Sequence, residues 1–135
     1  MSELTVRSLM AKHPAAVKTG TELTEVVDIL LQHKFTGLPV VDDHYKVVGF
    51  VSEQDCLRKF LISSYPCEGS LVVEEFMHGE PLTVHEQDSA VNVAELMVTQ
   101  KPKIYPVVDD KGILVGLLTR EQVLRALKDS RRGCD

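Results

Sequence analysis

Apolar residues fall along this chain in two matching series, and each series alternates between helical and extended spacing. Leu23, Val26, Val27, Leu30 and Leu31 recur every three or four residues, as do Ala90, Val93, Ala94, Met97 and Val98, which predicts two helices with one apolar face each. Thr21 and Asp88 stand just ahead of them and are expected to be N-caps. Short apolar runs surround these helices: Ala15–Val17 and Leu82–Val84 before them, Leu38–Val41 with Val47–Val51 and Tyr105–Val108 with Ile113–Leu118 after them. The later runs are joined by Asp42-Asp43-His44-Tyr45 and Asp109-Asp110-Lys111-Gly112, which read as hairpin turns. A last helix is expected after Ser52, burying Leu57 and Leu61, and another after Thr119, burying Val123, Leu124 and Leu127. A helical turn at Val6–Met10 or Val73–Met77 opens each series.

The two series are one unit written twice. Laid against itself so that Val6 falls on Val73, the chain keeps register without a gap until Phe60 falls on Leu127. Pro39-Val40-Val41-Asp42-Asp43 then meets Pro106-Val107-Val108-Asp109-Asp110, and Val48-Gly49 meets Val115-Gly116. The stretch Ser64–Ser70 carries Pro, Gly and Ser and reads as connecting chain. The expected division is a first repeat at 1–64, a connector at 65–72, a second repeat at 73–130 and a tail at 131–135. The class is α/β (more fully α+β), built from two β-α-β-β-α repeats. Strands that are nearly continuously apolar call for sheets covered on both faces. A unit of about 55 residues is marginal alone, so the two copies are expected to pack sheet to sheet about a pseudo-twofold axis.

Composition narrows the chemistry. At 135 residues, with 44% hydrophobic and 26% charged positions, the chain can bury a sizeable core. With 5% aromatic residues and no Trp, that core must be aliphatic. The formal charge of −5 argues against nucleic acid or an anionic membrane as the main partner. Cys56, Cys67 and Cys134 have no metal-like spacing, and His13, His33, His44, His78 and His85 show no paired-ligand arrangement, so no metal is expected. No apolar run is long enough for a membrane span, and no secretory leader is read at the start; a cytoplasmic protein is expected. No nucleophile–base pair stands out, so no catalytic residue is assigned.

One junction carries candidate chemistry. Gly49-Phe50-Val51-Ser52-Glu53-Gln54-Asp55 runs from a strand into a helix, whose first N–H groups and partial positive charge suit a phosphate. The Ser52 hydroxyl can add a hydrogen bond, and the Asp55 carboxylate can accept from the two vicinal hydroxyls of a ribose. The alternative is structural: Ser-x-x-Asp is close to a capping box, and Thr119-Arg120-Glu121-Gln122 in the second copy is one outright.

The apolar-x-Pro-Val-Val-Asp run, the hairpin turn, Val-Gly-apolar-apolar-Ser/Thr and the final helix resemble the cystathionine beta-synthase (CBS) domain. Two in tandem resemble the Bateman module, over about residues 6–127. The resemblance implies a regulatory, ligand-sensing module that binds adenosine-containing molecules in clefts between the repeats and associates as a homodimer. It implies a main cleft formed by Phe50, Ser52 and Asp55 together with Met77, Leu82 and the loop Lys101, Pro102, Lys103 and Ile104, whose lysines would face phosphates. A weaker second cleft would hold Phe35, Thr36, Gly37, Leu117, Thr119 and Gln122, where Gln122 departs from the ribose-binding Asp. The expected function is therefore sensing of an adenine nucleotide, AMP first and ADP or ATP after it, with no cofactor required. The output would pass in trans to an unknown regulated protein. The alternative from another class is a ligand-free dimerisation or interaction module with the same fold.

Overall fold

The two series of apolar runs fold into two small mixed sheets with helices against them. The computed structural model describes residues 4–63, 71–100 and 102–132. The chain order is α1 (Val6–Leu9), β1 (Val17–Lys18), α2 (Leu23–His33), β2 (Gly37–Val41), β3 (Val47–Ser52), α3 (Glu53–Ile62), a 3-10 turn (Val73–Glu75), β4 (His78–Gly79), β5 (Val84–His85), α4 (Ala90–Thr99), β6 (Ile104–Val108), β7 (Leu114–Thr119) and α5 (Arg120–Arg132). The expected α+β class and the β-α-β-β-α order of each repeat are both present.

The chain groups into two compact units whose limits differ from those of the repeats. One is Ala15–Pro81; the other joins Met1–Pro14 to Leu82–Asp135. Each repeat's opening segment is thus packed with the body of the other. Val6 is fully buried among Val84, Val93, Met97, Tyr105, Val107, Leu118 and Val123. Val73, its counterpart, is buried in the 15–81 unit, where its N–H donates to the Thr21 carbonyl at 2.8 Å.

In the 15–81 unit the strand order is β1-β2-β3-β4. β1 runs parallel to β2, while the β2–β3 and β3–β4 pairs are antiparallel. All five residues of β2 are buried, as a run covered on both faces requires. The hairpin between β2 and β3 is closed by Asp42, whose carboxylate accepts from the N–H groups of His44 and Lys46 at 2.9 and 3.0 Å. These bonds hold its pKa below the usual carboxylate value. The other unit repeats the design in its order β5-β6-β7, with Asp109 accepting from Lys111 and Ile113 at 2.8 and 3.0 Å. An isolated bridge from Ala11 to Leu117 stands where β4 meets β3 in the first copy.

Four local expectations are corrected. The N-caps of α2 and α4 are Glu22 and Ser89, neither with a side-chain capping bond. Thr21 instead donates to the Lys18 carbonyl, and Asp88 accepts from the His85 N–H, so both close the preceding turn. Val73–Met77 forms only a 3-10 turn over its first three residues. Leu57, Leu61 and Leu124 are exposed by 62%, 85% and 69%, because α3 turns Asp55 and Cys56 inward while α5 buries Val123. Leu31 and Val98, on the predicted helical faces, are exposed as well. Cys56 is a buried free thiol; Cys67 and Cys134 lie outside the described residues. Among the described residues no helix is long and apolar enough to cross a membrane, and no cluster of His, Cys, Asp and Glu could hold a metal ion.

Candidate functional site

The strand–helix junction at Ser52 is built as a reciprocal capping box. Ser52 N–H and the Ser52 hydroxyl both donate to Asp55 Oδ2 at 2.9 Å, and Asp55 N–H donates back to Ser52 Oγ at 3.2 Å. Glu53 N–H donates to the Thr36 carbonyl at 2.8 Å. The amides of Ser52, Glu53 and Asp55 therefore already have acceptors within the protein. The phosphate-cradle expectation from the helix terminus is weakened to that extent.

Asp55 is the exceptional group of this unit. Its side chain is only 1% exposed, and among the described residues Asp55 is the one buried polar or charged side chain in an otherwise apolar core. A buried carboxylate is unfavourable unless its oxygens are paired. Oδ2 is held by Ser52, while Oδ1 lies 2.8 Å from His78 Nε2 and 3.4 Å from Arg58 Nη1. His78 is brought there by β4, where it pairs with Phe50 of β3. The adjoining Met77 packs against Gly49, at which a Cβ would sit 2.6 Å from Met77 Sδ and 2.8 Å from the His78 carbonyl. Gly49 thus lets the histidine-bearing strand lie close to β3. Sequence reading missed His78 as a partner of Asp55; its one signal was that Ala11 occupies the matching place in the first segment.

Phe50 and Gly37 complete this corner. Gly37 pairs with Ser52, and a Cβ on it would meet Phe50 Cε1 at 2.5 Å, so the phenyl ring lies over bare glycine backbone. Phe35 is half-buried and Thr36 exposed on the approach to β2. The 15–81 unit accordingly brings together Phe50, Ser52, Asp55 and Met77 with Phe35, Thr36 and Gly37. Leu82, Pro102, Lys103, Ile104, Leu117, Thr119 and Gln122 all belong to the other unit, and Lys101 lies outside the described residues.

In that other unit the junction is neutral. Thr119 N–H donates to Gln122 Oε1 at 2.8 Å and Gln122 N–H to Thr119 Oγ1 at 3.2 Å. Arg120 N–H donates to the Lys103 carbonyl at 2.9 Å, matching the Glu53–Thr36 bond. Ile104 is buried beside Thr119, Leu117 is buried, and Lys103 and Leu82 are exposed. The scaffold repeats; the charge does not.

The 15–81 unit has a second feature, an apolar cavity of about 280 Å³ between α2 and α3. Val27, Leu30, Leu31, Cys56, Leu57 and Phe60 line it, with Glu53 at one side. Burial there pushes the Cys56 thiol up to about 11, helped by the Asp55 and Glu53 charges, so the thiol is not a nucleophile near neutral pH.

Residues 6–62 and 73–129 each match the CBS domain. CBS domain-containing protein CBSX1, chloroplastic, from Arabidopsis thaliana is 31% identical over 88% of this chain, which spans 61% of that protein's length. The fold superposes on the crystal structure of CBSX2 in complex with AMP with a TM-score of 0.80, at 34% identity over 94% of this chain and 98% of that one. It matches the CBS domain pair of protein MJ0100 in complex with 5′-methylthioadenosine and S-adenosyl-L-methionine equally well, with a TM-score of 0.80 at 27% identity over 96% and 99% of the two chains.

Proposed function

The chain belongs to the CBS domain family, both of its repeats being matched, and from that premise we propose that it is a regulatory module sensing an adenine nucleotide, AMP first. The observation that carries this reading is the buried Asp55 carboxylate at the Ser52 junction. A charge in that place is costly for a fold that manages with Gln122 in its other copy, so a role in recognition explains it better than capping does. A ribose diol is the natural guest of such a carboxylate. CBSX2 with AMP and the MJ0100 pair with its two adenosine compounds lend weight to an adenosine ligand. In this proposal the chain is non-catalytic, works in the cytoplasm, and passes its state to a partner protein.

A panel of AMP, ADP, ATP, S-adenosylmethionine and NAD in thermal-shift assays tests the proposal. Ligand at a hundred times its dissociation constant adds about 2.7 kcal/mol of stability. No shift with any of the five at millimolar concentration removes the nucleotide claim. Asp55→Asn is expected to weaken binding more than Gln122→Ala; the reverse would move the site to the second repeat.

A second reading is favoured by the apolar surface of α2 and α3, where Leu31, Leu57, Phe60 and Leu61 are exposed. It is a dimerisation or interaction module, with or without ligand. Contiguous apolar surface of this kind marks association sites. Sedimentation of the wild type against Leu57→Glu/Phe60→Glu decides it: a homodimer that becomes monomeric supports the reading, and a monomeric wild type ends it.

A further inference from the structure

We infer that His78 is a resident competitor for the Asp55 carboxylate: it holds the oxygen that a ligand's vicinal diol must take, and yields it when such a ligand binds. The inference deepens the nucleotide reading and rests on it.

Oδ2 of Asp55 is committed to the capping box, where Ser52 N–H and the Ser52 hydroxyl bind it at 2.9 Å. Releasing it would unmake the start of α3. A diol is therefore directed to Oδ1, which has two partners. Arg58 reaches it at 3.4 Å from the same helix, a long contact from a side chain 61% exposed. His78 reaches it at 2.8 Å from β4, and its side chain is 65% exposed. The imidazole can swing into water without opening the core, whereas the carboxylate, 1% exposed, cannot follow it. Something must replace His78 there, and two hydroxyl donors suffice.

The second repeat supplies the internal control. Ala11 bridges to Leu117 where His78 pairs with Phe50, and Gln122 stands in the place of Asp55. The imidazole is present where the carboxylate is and missing where the amide is. A purely structural strand at this edge needs no imidazole, as Ala11 demonstrates.

Calorimetric titration with adenosine tests this, because adenosine presents the diol without a phosphate that would make contacts of its own. His78→Ala should bind adenosine about two- to fivefold more tightly than wild type. Loss of adenosine binding in His78→Ala would make the histidine a ligand contact and overturn the inference. Equal affinity in the two proteins would overturn it too. If neither adenosine nor AMP binds the wild type, the nucleotide reading fails in its own right and takes the competitor role with it. Thermal unfolding of His78→Ala, Asp55→Asn and the double variant isolates the contact without ligand: non-additive losses are expected, and additive ones remove the latch even if nucleotide binds.

Discussion

Tyr105 lies in β6, 1% exposed, and among the described residues its hydroxyl has no hydrogen-bond partner. Leu38 takes the same place in the first repeat. A buried hydroxyl without a partner is unfavourable by about 1–3 kcal/mol, and removing it leaves the ring's packing intact. Tyr105→Phe is therefore expected to leave stability unchanged or raise it by about 1 kcal/mol, read from urea unfolding. Tyr45 invites a similar comparison. It sits at φ 64 in its hairpin, where the second repeat has Gly112 at φ 83. The left-handed region costs a side-chain-bearing residue about 1–2 kcal/mol, so Tyr45→Gly should raise the melting temperature despite glycine's greater freedom when unfolded. Cys56 sets a pH dependence of its own. Its thiol, held up to about 11 against an ordinary 9.0, stays protonated in the folded state while the unfolded chain ionises. The stability it contributes is complete below pH 9.0 and is lost between there and about 11. The slope should flatten in Cys56→Ala. The turn carboxylates work in the opposite sense: Asp42 and Asp109 have lowered pKa values, so their contribution is present above 3.8 and is lost as acid protonates them.

Between elements, β4 lies close against β3. A methyl group on Gly49 would meet the flexible Met77 thioether at 2.6 Å, but also the His78 carbonyl at 2.8 Å, and backbone in a paired strand moves reluctantly. Gly49→Ala is expected to destabilise by about 1–3 kcal/mol in thermal unfolding, by pushing β4 outward. By drawing His78 away from Asp55 Oδ1 it should also strengthen ligand binding, in the same sense as His78→Ala. Gly116 meets Met10 and the Ala11 carbonyl in the same way, so a similar loss is expected there without the ligand effect. At this scale the sequence was informative. Helical spacing, strand runs and Asp-led turns depend on neighbours a few residues apart, and nearly all of those elements are present. Apart from the two N-caps and the turn at Val73, the misplaced features were those decided at longer range, such as which side of α3 is buried. Leu57 and Leu61 are apolar at helical spacing, yet Asp55 and Cys56 are the residues of α3 that are buried.

For the whole molecule, repeat and compact unit are different divisions of one chain. Val6 completes the core formed around Val84 and Val93, and Val73 is buried with the 15–81 residues. A fragment of residues 1–64 has the first repeat entire but lacks Val73 and β4, whereas a fragment of residues 15–81 has the whole compact unit. Circular dichroism melts should show the second fragment more helical and more cooperative than the first, although a unit of that size is marginal on its own. Comparable melts for the two fragments would mean that the exchanged segments contribute little.

The duplication, the β-α-β-β-α order, the hairpin turns and the Thr119 capping box were settled by sequence, because each is written in spacing or in hydrogen bonds spanning a few residues. The family resemblance rests on those same local motifs. Tertiary structure alone decided that each opening segment joins the other repeat's core, that Asp55 is buried and that His78 meets its Oδ1. The physical reason lies in the kind of interaction. Burial and the pairing of a buried charge depend on what the rest of the chain places beside a residue, and β4 reaches Asp55 only by pairing with β3 after the chain has passed through the connector.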